Sequence, residues 1–144
     1  PMSLTITKPE ILGSMAVGEQ SSTFGGNPLV CAAATATLNA LTDDGLIDNS
    51  FKMGNLLMNG LQKLKTEHQI IREVRGKGLM IAIEFEIDVT NLLLNAIQQH
   101  VLFLFSLYSD KTILRLLPPL VLTENDIFEV LRVLDEIISN EENK

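Results

Sequence analysis

Apolar residues follow a helical spacing in the first half of the chain and a strand-like spacing in much of the second. The helical spacing predicts one helix over residues 28–41 and a longer one over 46–67, separated by the helix-breaking run Asp43-Asp44-Gly45. Residues 2–7 suit one short strand, and residues 13–20 a loop. The longer helix places five apolar residues on one face: Leu46, Met53, Leu57, Leu61 and Leu64.

Two glycines, Gly54 and Gly60, lie inside the longer predicted helix. Each weakens a helix by roughly 1 kcal/mol relative to alanine. We therefore interpret them as points where another part of the protein packs closely against the helix.

From residue 70 onward, the apolar segments are short and are bounded by turn residues. Four strands are predicted, over residues 70–74, 79–85, 101–105 and 112–117. Gly76-Lys77-Gly78 predicts the turn between the first two strands, and Pro118-Pro119 ends the last one. A helix over 90–100 separates the second strand from the third, and its predicted apolar face comprises Leu93, Leu94 and Ile97.

The final helix carries the clearest start signal in the chain. Thr123 is its predicted N-cap, and Asp126 completes an acidic variant of the capping box. Leu122 and Ile127 suit the hydrophobic staple, and the polar residues 140–144 are expected to fray. The predicted buried stripe comprises Ile127, Val130, Leu131, Leu134, Ile137 and Ile138.

The order of elements from residue 70 predicts the fold class. Strand, strand, helix, strand, strand and helix make a small, mainly antiparallel sheet with helices on one face, which is an α+β domain. At 144 residues, the chain has room for one such domain, or for a small domain and a piece of another.

Composition and charge exclude several function classes. The net charge of −7, with no basic stripe, argues against nucleic acid and anionic membrane surfaces as partners. No stretch approaches the roughly 20 apolar residues of a membrane span. The single cysteine, Cys31, is expected to be a small core residue, and one cysteine fits a reducing, cytoplasmic compartment. Pro1-Met2 is no targeting signal, and the missing initiator methionine suggests a fragment.

The segment Ser22-Thr23-Phe24-Gly25-Gly26-Asn27-Pro28 is the first candidate site. Asn27 suits the N-cap and Pro28 the first position of the following helix. A helix start with glycines and two hydroxyls nearby suits a phosphate. The alternative is a capped helix after a tight turn, in which the hydroxyls serve the backbone, and the local pattern favours that alternative.

Arg115 is the second candidate. Strand alternation puts it on the same side as Ile113 and Leu117, and a guanidinium in apolar company needs an anion. One interpretation is a salt bridge to Glu84 or Glu86 on a neighbouring strand. The other is a bidentate contact with the carboxylate of a substrate.

The remaining polar residues suggest no chemistry of their own. Arg75-Gly76-Lys77-Gly78 lacks the spacing of a phosphate loop and is interpreted as a turn with two solvated cations. His68 and His100 are expected at the surface, at helix ends, and no metal site is predicted. Glu84 and Glu86 are interpreted as a solvated or arginine-paired strand edge rather than as an acid–base pair.

Three segments together resemble the class III aminotransferases, fold-type I enzymes that use pyridoxal 5'-phosphate, and most of all the acetylornithine and ornithine aminotransferases. The segments are STFGGNPLVCAAA (22–34), VRGKGLMIAIEF (74–85) and LRLLPPLVLTENDI (114–127), in family order. With the resemblance, the phosphate interpretation of the loop and the substrate interpretation of Arg115 become the favoured ones.

The resemblance implies that the chain is the carboxy-terminal portion of such an enzyme. Residues 1–44 are similar to the end of the large cofactor domain, 45–69 to a connecting helix, and 70–144 to the small α+β domain. The family's Schiff-base lysine lies upstream of the STFGGNP motif. Lys8 is the only lysine ahead of that motif here, and it lacks the family's sequence context. The chain by itself is therefore expected to have no catalytic lysine, to bind no cofactor and to be inactive.

Site residues and partners also follow from the resemblance. Thr23, with Ser22, is expected to hold the cofactor phosphate, in a contact that crosses a dimer interface. Arg115 is expected to bind the α-carboxylate of the substrate. The parent reaction would move an amino group from an ornithine-like donor to 2-oxoglutarate. The apolar surface of residues 1–42 is expected to be covered by self-association, giving a homo-oligomer.

Two further hypotheses come from other function classes. One is a non-catalytic binding or assembly module derived from the small domain. The other is a regulatory α+β domain that binds a small molecule, which requires Arg115 to line a pocket closed within this chain.

Overall fold

The structure is a computed structural model that describes residues 2–16, 18–19, 22–105 and 111–144, without the side chain of Phe105. The chain divides into two compact units, Pro1–Asp44 and Gly45–Lys144. Each unit is described separately below.

The first unit contains two helices, α1 (Pro9–Leu12) and α2 (Pro28–Asp43). The predicted strand over residues 2–7 is wrong, because residues 2–8 have no regular structure. A strand needs a neighbour to accept its hydrogen bonds, and the described residues of this unit supply none. Pro9 instead begins α1, a short helix that the sequence analysis missed. None of the described residues up to Asp44 is buried, so the expectation that Cys31 is a core residue is also wrong.

The second unit contains three helices in its described residues, α3 (Leu46–Glu67), α4 (Thr90–Gln98) and α5 (Glu124–Glu142). The boundaries predicted for α3 are confirmed. At α5, Thr123 accepts a hydrogen bond from the backbone N–H of Asp126, whose carboxylate accepts one from the backbone N–H of Thr123. The predicted capping box is therefore confirmed. The predicted fraying after residue 139 is wrong, because α5 continues to Glu142.

The described residues of the second unit also form a four-stranded antiparallel sheet of order β1-β2-β4-β3. The fold class predicted from the element order, α+β with a small antiparallel sheet, is confirmed. The predicted strand over 101–105 is wrong for its first three residues. The strands are β1 (Ile71–Lys77), β2 (Met80–Phe85), β3 (Leu104–Phe105) and β4 (Ile113–Leu116).

The turn between β1 and β2 lies two residues later than predicted. Gly76 and Lys77 belong to β1, and the chain turns at Gly78 and Leu79. Gly78 has a φ of 55°, a left-handed conformation that glycine adopts without strain.

The core of the second unit lies between the inner face of the sheet and the helices. Helix α3 packs against β1 and α5, and α4 packs against α5. The face predicted for α4 is partly wrong, because Leu94 and Ile97 are exposed while Leu92 and Ala96 are buried beside Leu93. Residues fully shielded from solvent come from both layers: Ile83, Leu92, Ala96, Leu114, Ile127, Val133, Leu134, Ile137 and Ile138.

Both glycines of α3 are points of close packing, as predicted. A Cβ at Gly54 would overlap the backbone of Gly78, and a Cβ at Gly60 would overlap the side chain of Leu131. Helix α3 can therefore lie closer to the β1–β2 turn and to α5 than a helix with side chains at these positions.

Candidate functional site

The first candidate site is the loop that precedes α2. Ser22 and Thr23 are both exposed. The backbone N–H of Gly25 donates to the Ser22 carbonyl oxygen at 3.3 Å, and that of Asn27 donates to the Phe24 carbonyl oxygen at 3.4 Å. Gly26 has a φ of 68°, so the turn depends on a residue without a Cβ. The hydroxyl-bearing segment is thus held in a tight turn at the start of a helix.

Asn27 fixes the beginning of α2, as predicted. Its Oδ1 accepts a hydrogen bond from the Val30 N–H at 3.1 Å, and its Nδ2 donates to the Phe24 carbonyl oxygen at 2.7 Å. Pro28 follows at the first helical position, where its missing N–H costs nothing. The cap therefore occupies the Asn27 side chain, and the hydroxyls of Ser22 and Thr23 are separate from it.

The donor groups of this loop fit a phosphate. Residues 22–30 include two hydroxyls and the amide groups of a helix start, and they contain no lysine or arginine. Hydroxyls and helix N-terminal amides bind phosphate oxygens by hydrogen bonding and through the positive end of the helix dipole. The loop can therefore recognise a phosphate without a cationic side chain of its own.

The second candidate residue, Arg115, lies in the middle of β4. It pairs with Ala82 of β2 on one side and with Leu104 of β3 on the other, and it is exposed. No carboxylate of a described residue lies within the 4.0 Å salt-bridge distance of its guanidinium. Arg115 is therefore available to an anion from outside this part of the chain.

The salt bridge considered between Arg115 and Glu84 does not form. Glu84 binds two arginines of β1 instead: its Oε2 accepts from Arg75 at 2.6 Å, and its Oε1 lies 3.1 Å from a nitrogen of Arg72. Glu86 lies beyond the end of β2 and is exposed. The arginine pairing predicted for Glu84 is therefore confirmed, although β2 lies inside the sheet and not at its edge. The interpretation of Arg75 as a solvated cation is wrong, because it forms ion pairs with Glu73 and Glu84.

Arg115 also borders a cavity of about 250 Å³ in the second unit. Most of the lining is apolar, with Leu104, Leu117, Pro118 and Val130 among the contributors. A guanidinium at the edge of an apolar cavity suits a carboxylate, because both oxygens can accept hydrogen bonds from the planar fork of donors. The loop at residues 22–27 belongs to the first unit and Arg115 to the second, so neither unit alone brings the two candidates together.

His68 lies in a different environment from the one predicted from the sequence. It was expected at the surface, but it is 5% exposed, whereas His100 is exposed as expected. The His68 ring lies between Asp135 and Glu142 of α5. The available signal was the seven-residue spacing of those two acids, which puts both on one face of the final helix. No group of histidine, cysteine or acidic side chains among the described residues could hold a metal ion.

Solved structures of aminotransferases share this fold. The Plasmodium falciparum ornithine δ-aminotransferase structure aligns with a TM-score of 0.86 and 28% identity, covering 96% of this chain and 36% of that one. The acetylornithine aminotransferase of Elizabethkingia anophelis aligns with a TM-score of 0.78 and 34% identity, covering 90% of this chain and 34% of that one. The class defined by fold and loop is therefore that of the aminotransferases.

The sequence model of the family described as Aminotransferase class-III matches residues 1–138, and the chain belongs to this family. It is 40% identical over 123 residues to the acetylornithine aminotransferase of Caldanaerobacter subterraneus subsp. tengcongensis, covering 85% of this chain and 30% of that protein. It is 34% identical to ornithine aminotransferase 1 of Staphylococcus aureus, covering 97% of this chain and 34% of that protein.

The match covers only part of each curated relative. The chain spans about a third of the length of the curated relatives that it matches. Among the described residues, no helix has the length and apolarity required to cross a membrane.

Proposed function

We propose that the chain forms the carboxy-terminal portion of a pyridoxal-phosphate-dependent aminotransferase. Its parent would transfer an amino group from an ornithine- or acetylornithine-like donor to 2-oxoglutarate in the cytoplasm. The names of its relatives support this donor class. In this proposal, residues 1–44 end the large cofactor domain, 45–69 form the connecting helix, and 70–144 form the small domain.

The loop before α2 would bind the phosphate of the cofactor through Thr23 and Ser22. The observation that carries the proposal is an exposed pair of hydroxyls in a tight turn at a capped helix start, within a chain that belongs to this family. When bound, the cofactor supplies an electron-withdrawing ring that stabilises negative charge on the substrate. The contribution of the loop would be to hold the phosphate and so orient that ring. In a dimer, the loop would reach the cofactor of the neighbouring subunit.

Arg115 would bind the α-carboxylate of the substrate. Its exposure supports the role, as does the absence of a partner carboxylate among the described residues. A bidentate contact fixes both the position and the tilt of the carboxylate, which orients the bonds at the adjacent carbon.

These 144 residues alone would neither retain the cofactor nor catalyse the reaction. The covalent anchor in this family is a lysine, which also moves the α-proton of the substrate. Lys8, the lysine that precedes the loop, lies in the irregular segment before α1, between Thr7 and Pro9. Neither its structure nor its sequence context supports that role.

The test compares the chain alone with the same chain joined to the upstream two-thirds of the Caldanaerobacter relative. With the chain alone, we expect no amino transfer to 2-oxoglutarate and no retained pyridoxal phosphate. With the joined protein, we expect both amino transfer and retention of the cofactor. Turnover by the 144 residues alone would overturn the assignment of an incomplete site.

Matched variants of the joined protein separate the two binding roles. A hydrogen bond to a charged group contributes about 1.5–3 kcal/mol, so Thr23→Ala should weaken cofactor binding about tenfold or more. Thr35→Ala is its control, because the Thr35 hydroxyl donates to the Cys31 carbonyl oxygen within its own helix. Arg115→Lys should raise the KM of the oxo acid, whereas Arg132→Lys, at an exposed position of α5, should not. Unchanged cofactor binding in Thr23→Ala would remove the loop from the site.

The alternative function is a non-catalytic assembly module, and the same samples test it. The first unit carries large exposed apolar side chains, including Leu29 at 80% and Leu38 at 59% exposure. Light scattering should therefore detect a homo-oligomer, with a dimer expected. An inactive joined protein, together with a stable oligomer of the chain alone, would favour the module.

A further inference from the structure

A buried histidine joins the end of α5 to the junction between α3 and β1. His68 follows the last residue of α3, and its backbone N–H donates to the Leu64 carbonyl oxygen at 2.9 Å. Its Nδ1 lies 2.8 Å from Oε2 of Glu142, and its Nε2 lies 2.8 Å from Oδ1 of Asp135. The two acids are more than sixty residues away in the sequence, so the ring connects distant parts of the fold.

The geometry favours the protonated ring. A neutral imidazole has one N–H donor and one lone pair, whereas the imidazolium has two donors. With a carboxylate oxygen at hydrogen-bond distance from each nitrogen, only the imidazolium satisfies both contacts. Loss of the proton would leave a lone pair directed at an anion in a buried position, which is unfavourable.

The same contacts organise the start of the sheet. The second carboxylate oxygen of Glu142 accepts the Ile70 N–H at 3.2 Å. The Ile71 N–H donates to the His68 carbonyl oxygen at 3.3 Å, and the Glu86 N–H donates to the Ile70 carbonyl oxygen at 2.9 Å. Glu142 therefore connects the ring to the backbone at the beginning of β1.

Several charged groups on the neighbouring elements pair with residues other than His68. The charges that act on His68 among the described residues are those of Glu142 and Asp135. The nearby groups with other partners are Glu67 of α3 with Lys63, Arg72 of β1 with Glu84, and Glu141 of α5 with Lys144 and Asn91.

We propose that His68, Asp135 and Glu142 form a proton-dependent latch that holds the last turns of α5 on the α3–β1 junction. The latch is closed while His68 carries its proton and opens as that proton is lost. Because Ile137 and Ile138 are fully buried beside it, the opening is confined to the end of α5 and to the start of β1. The proposal rests on the fold of the second unit and is independent of the proposed enzymatic function.

The pKa shifts define the pH window in which the latch is closed. Burial lowers the pKa of His68, but the hydrogen bonds with Glu142 and Asp135 outweigh it and raise the pKa above 6.5. The contribution of His68 to stability is therefore complete below pH 6.5 and is lost as pH rises through the raised pKa. The hydrogen bond with His68 lowers the pKa of Glu142 from 4.5, so its contribution is lost as pH falls through that lowered pKa. Stability should therefore peak between the two.

The experiment is an NMR titration of the whole chain, which contains two histidines. The Cε1–Hε1 signals give both pKa values, and His100→Gln assigns them. We expect the pKa of His68 to lie above its ordinary value of 6.5. Glu142→Gln and Asp135→Asn should each lower the pKa of His68, whereas Glu136→Gln, a neighbouring exposed acid paired with Arg132, should not. A His68 pKa at or below 6.5 would overturn the proposal.

Hydrogen exchange of the same samples tests whether the end of α5 opens when His68 loses its proton. Exchange rates are first corrected for the intrinsic rate at each pH. Amide protection over residues 139–143 should then fall about tenfold or more between about pH 5.5 and about pH 8.5. The reason is that each pH unit beyond a linked pKa changes an equilibrium up to tenfold. At both pH values, protection in the core of α3 should remain higher than protection at the end of α5. His68→Gln should give low, pH-independent protection at the end of α5. Equal protection of that segment at both pH values in the unmodified chain would contradict the latch.

Discussion

At the scale of single residues, two glycines of α3 each allow a different neighbour to pack closely against the helix. Gly54 faces the backbone of Gly78, and Gly60 faces the end of the Leu131 side chain. A backbone within a tight turn cannot move aside, whereas a leucine at the edge of the core can change rotamer. The same substitution should therefore have different effects at the two positions.

Gly54→Ala is expected to lower the free energy of unfolding by about 1–3 kcal/mol, which is the usual cost of overpacking. This cost exceeds the stability gained from the higher helix propensity of alanine. Gly60→Ala should stay within about 1 kcal/mol of the unmodified chain, because the movement of Leu131 and the gain of about 1 kcal/mol in propensity offset each other. Urea denaturation measures both. Asn55→Ala, at an exposed position of the same helix, reports the propensity effect alone. Equal losses at the two glycines would refute the distinction.

At the scale of elements, local hydrogen bonds decide where helices begin, and these starts could be predicted from the sequence. Asn27 caps α2 and Thr123 caps α5 through contacts that span three residues. The starts of α2 and α5 were therefore correct from the pattern alone. The face of α4 was not, because a nine-residue helix offers several possible apolar stripes, and its packing against α5 selects among them.

The capping box of α5 leads to a pH-dependent prediction. The hydrogen bonds from the side chain and the backbone N–H of Thr123 lower the pKa of Asp126. The stability that Asp126 contributes is present above its ordinary pKa and is lost as pH falls through the lowered value. Thr123→Ala should reduce the free energy of unfolding by about 1 kcal/mol at neutral pH and by less in acid. Thr66→Ala, whose hydroxyl bonds the Lys63 carbonyl oxygen rather than a cap, is the control in urea denaturation at both pH values. A loss that does not change with pH would contradict the role of Asp126.

At the scale of the whole molecule, the two units differ in how they are stabilised. Every buried hydrophobic residue of the described chain lies in Gly45–Lys144, and the described residues of the first unit have none. A helix without a buried face gains little from packing, and isolated helices of about 12–15 residues are marginal in water. The second unit should therefore fold without the first.

Residues 45–144 expressed alone are expected to unfold cooperatively, with a Tm within about 5 °C of the full chain. Residues 1–44 alone should give no cooperative transition. Circular dichroism during heating measures both transitions. Limited proteolysis should cleave near Asp43-Asp44-Gly45 and leave the second unit intact. Failure of 45–144 to fold, or cleavage inside it before the junction, would argue against a second unit that is stable without the first.

The sequence by itself determined whatever depends on neighbours within one or two helical turns. The bounds of α3, the caps of α2 and α5, the antiparallel α+β class and the three family segments all follow from local spacing or local motifs. The tertiary structure decided the pairings between residues far apart in the chain. β2 lies between β1 and β4, and Glu84 binds Arg72 and Arg75 of β1 rather than Arg115 of β4. His68 is buried because α5 returns more than sixty residues later with two carboxylates on one face. Local periodicity carries no information about which distant group arrives, because burial and charge pairing are settled only when the layers of the fold pack together.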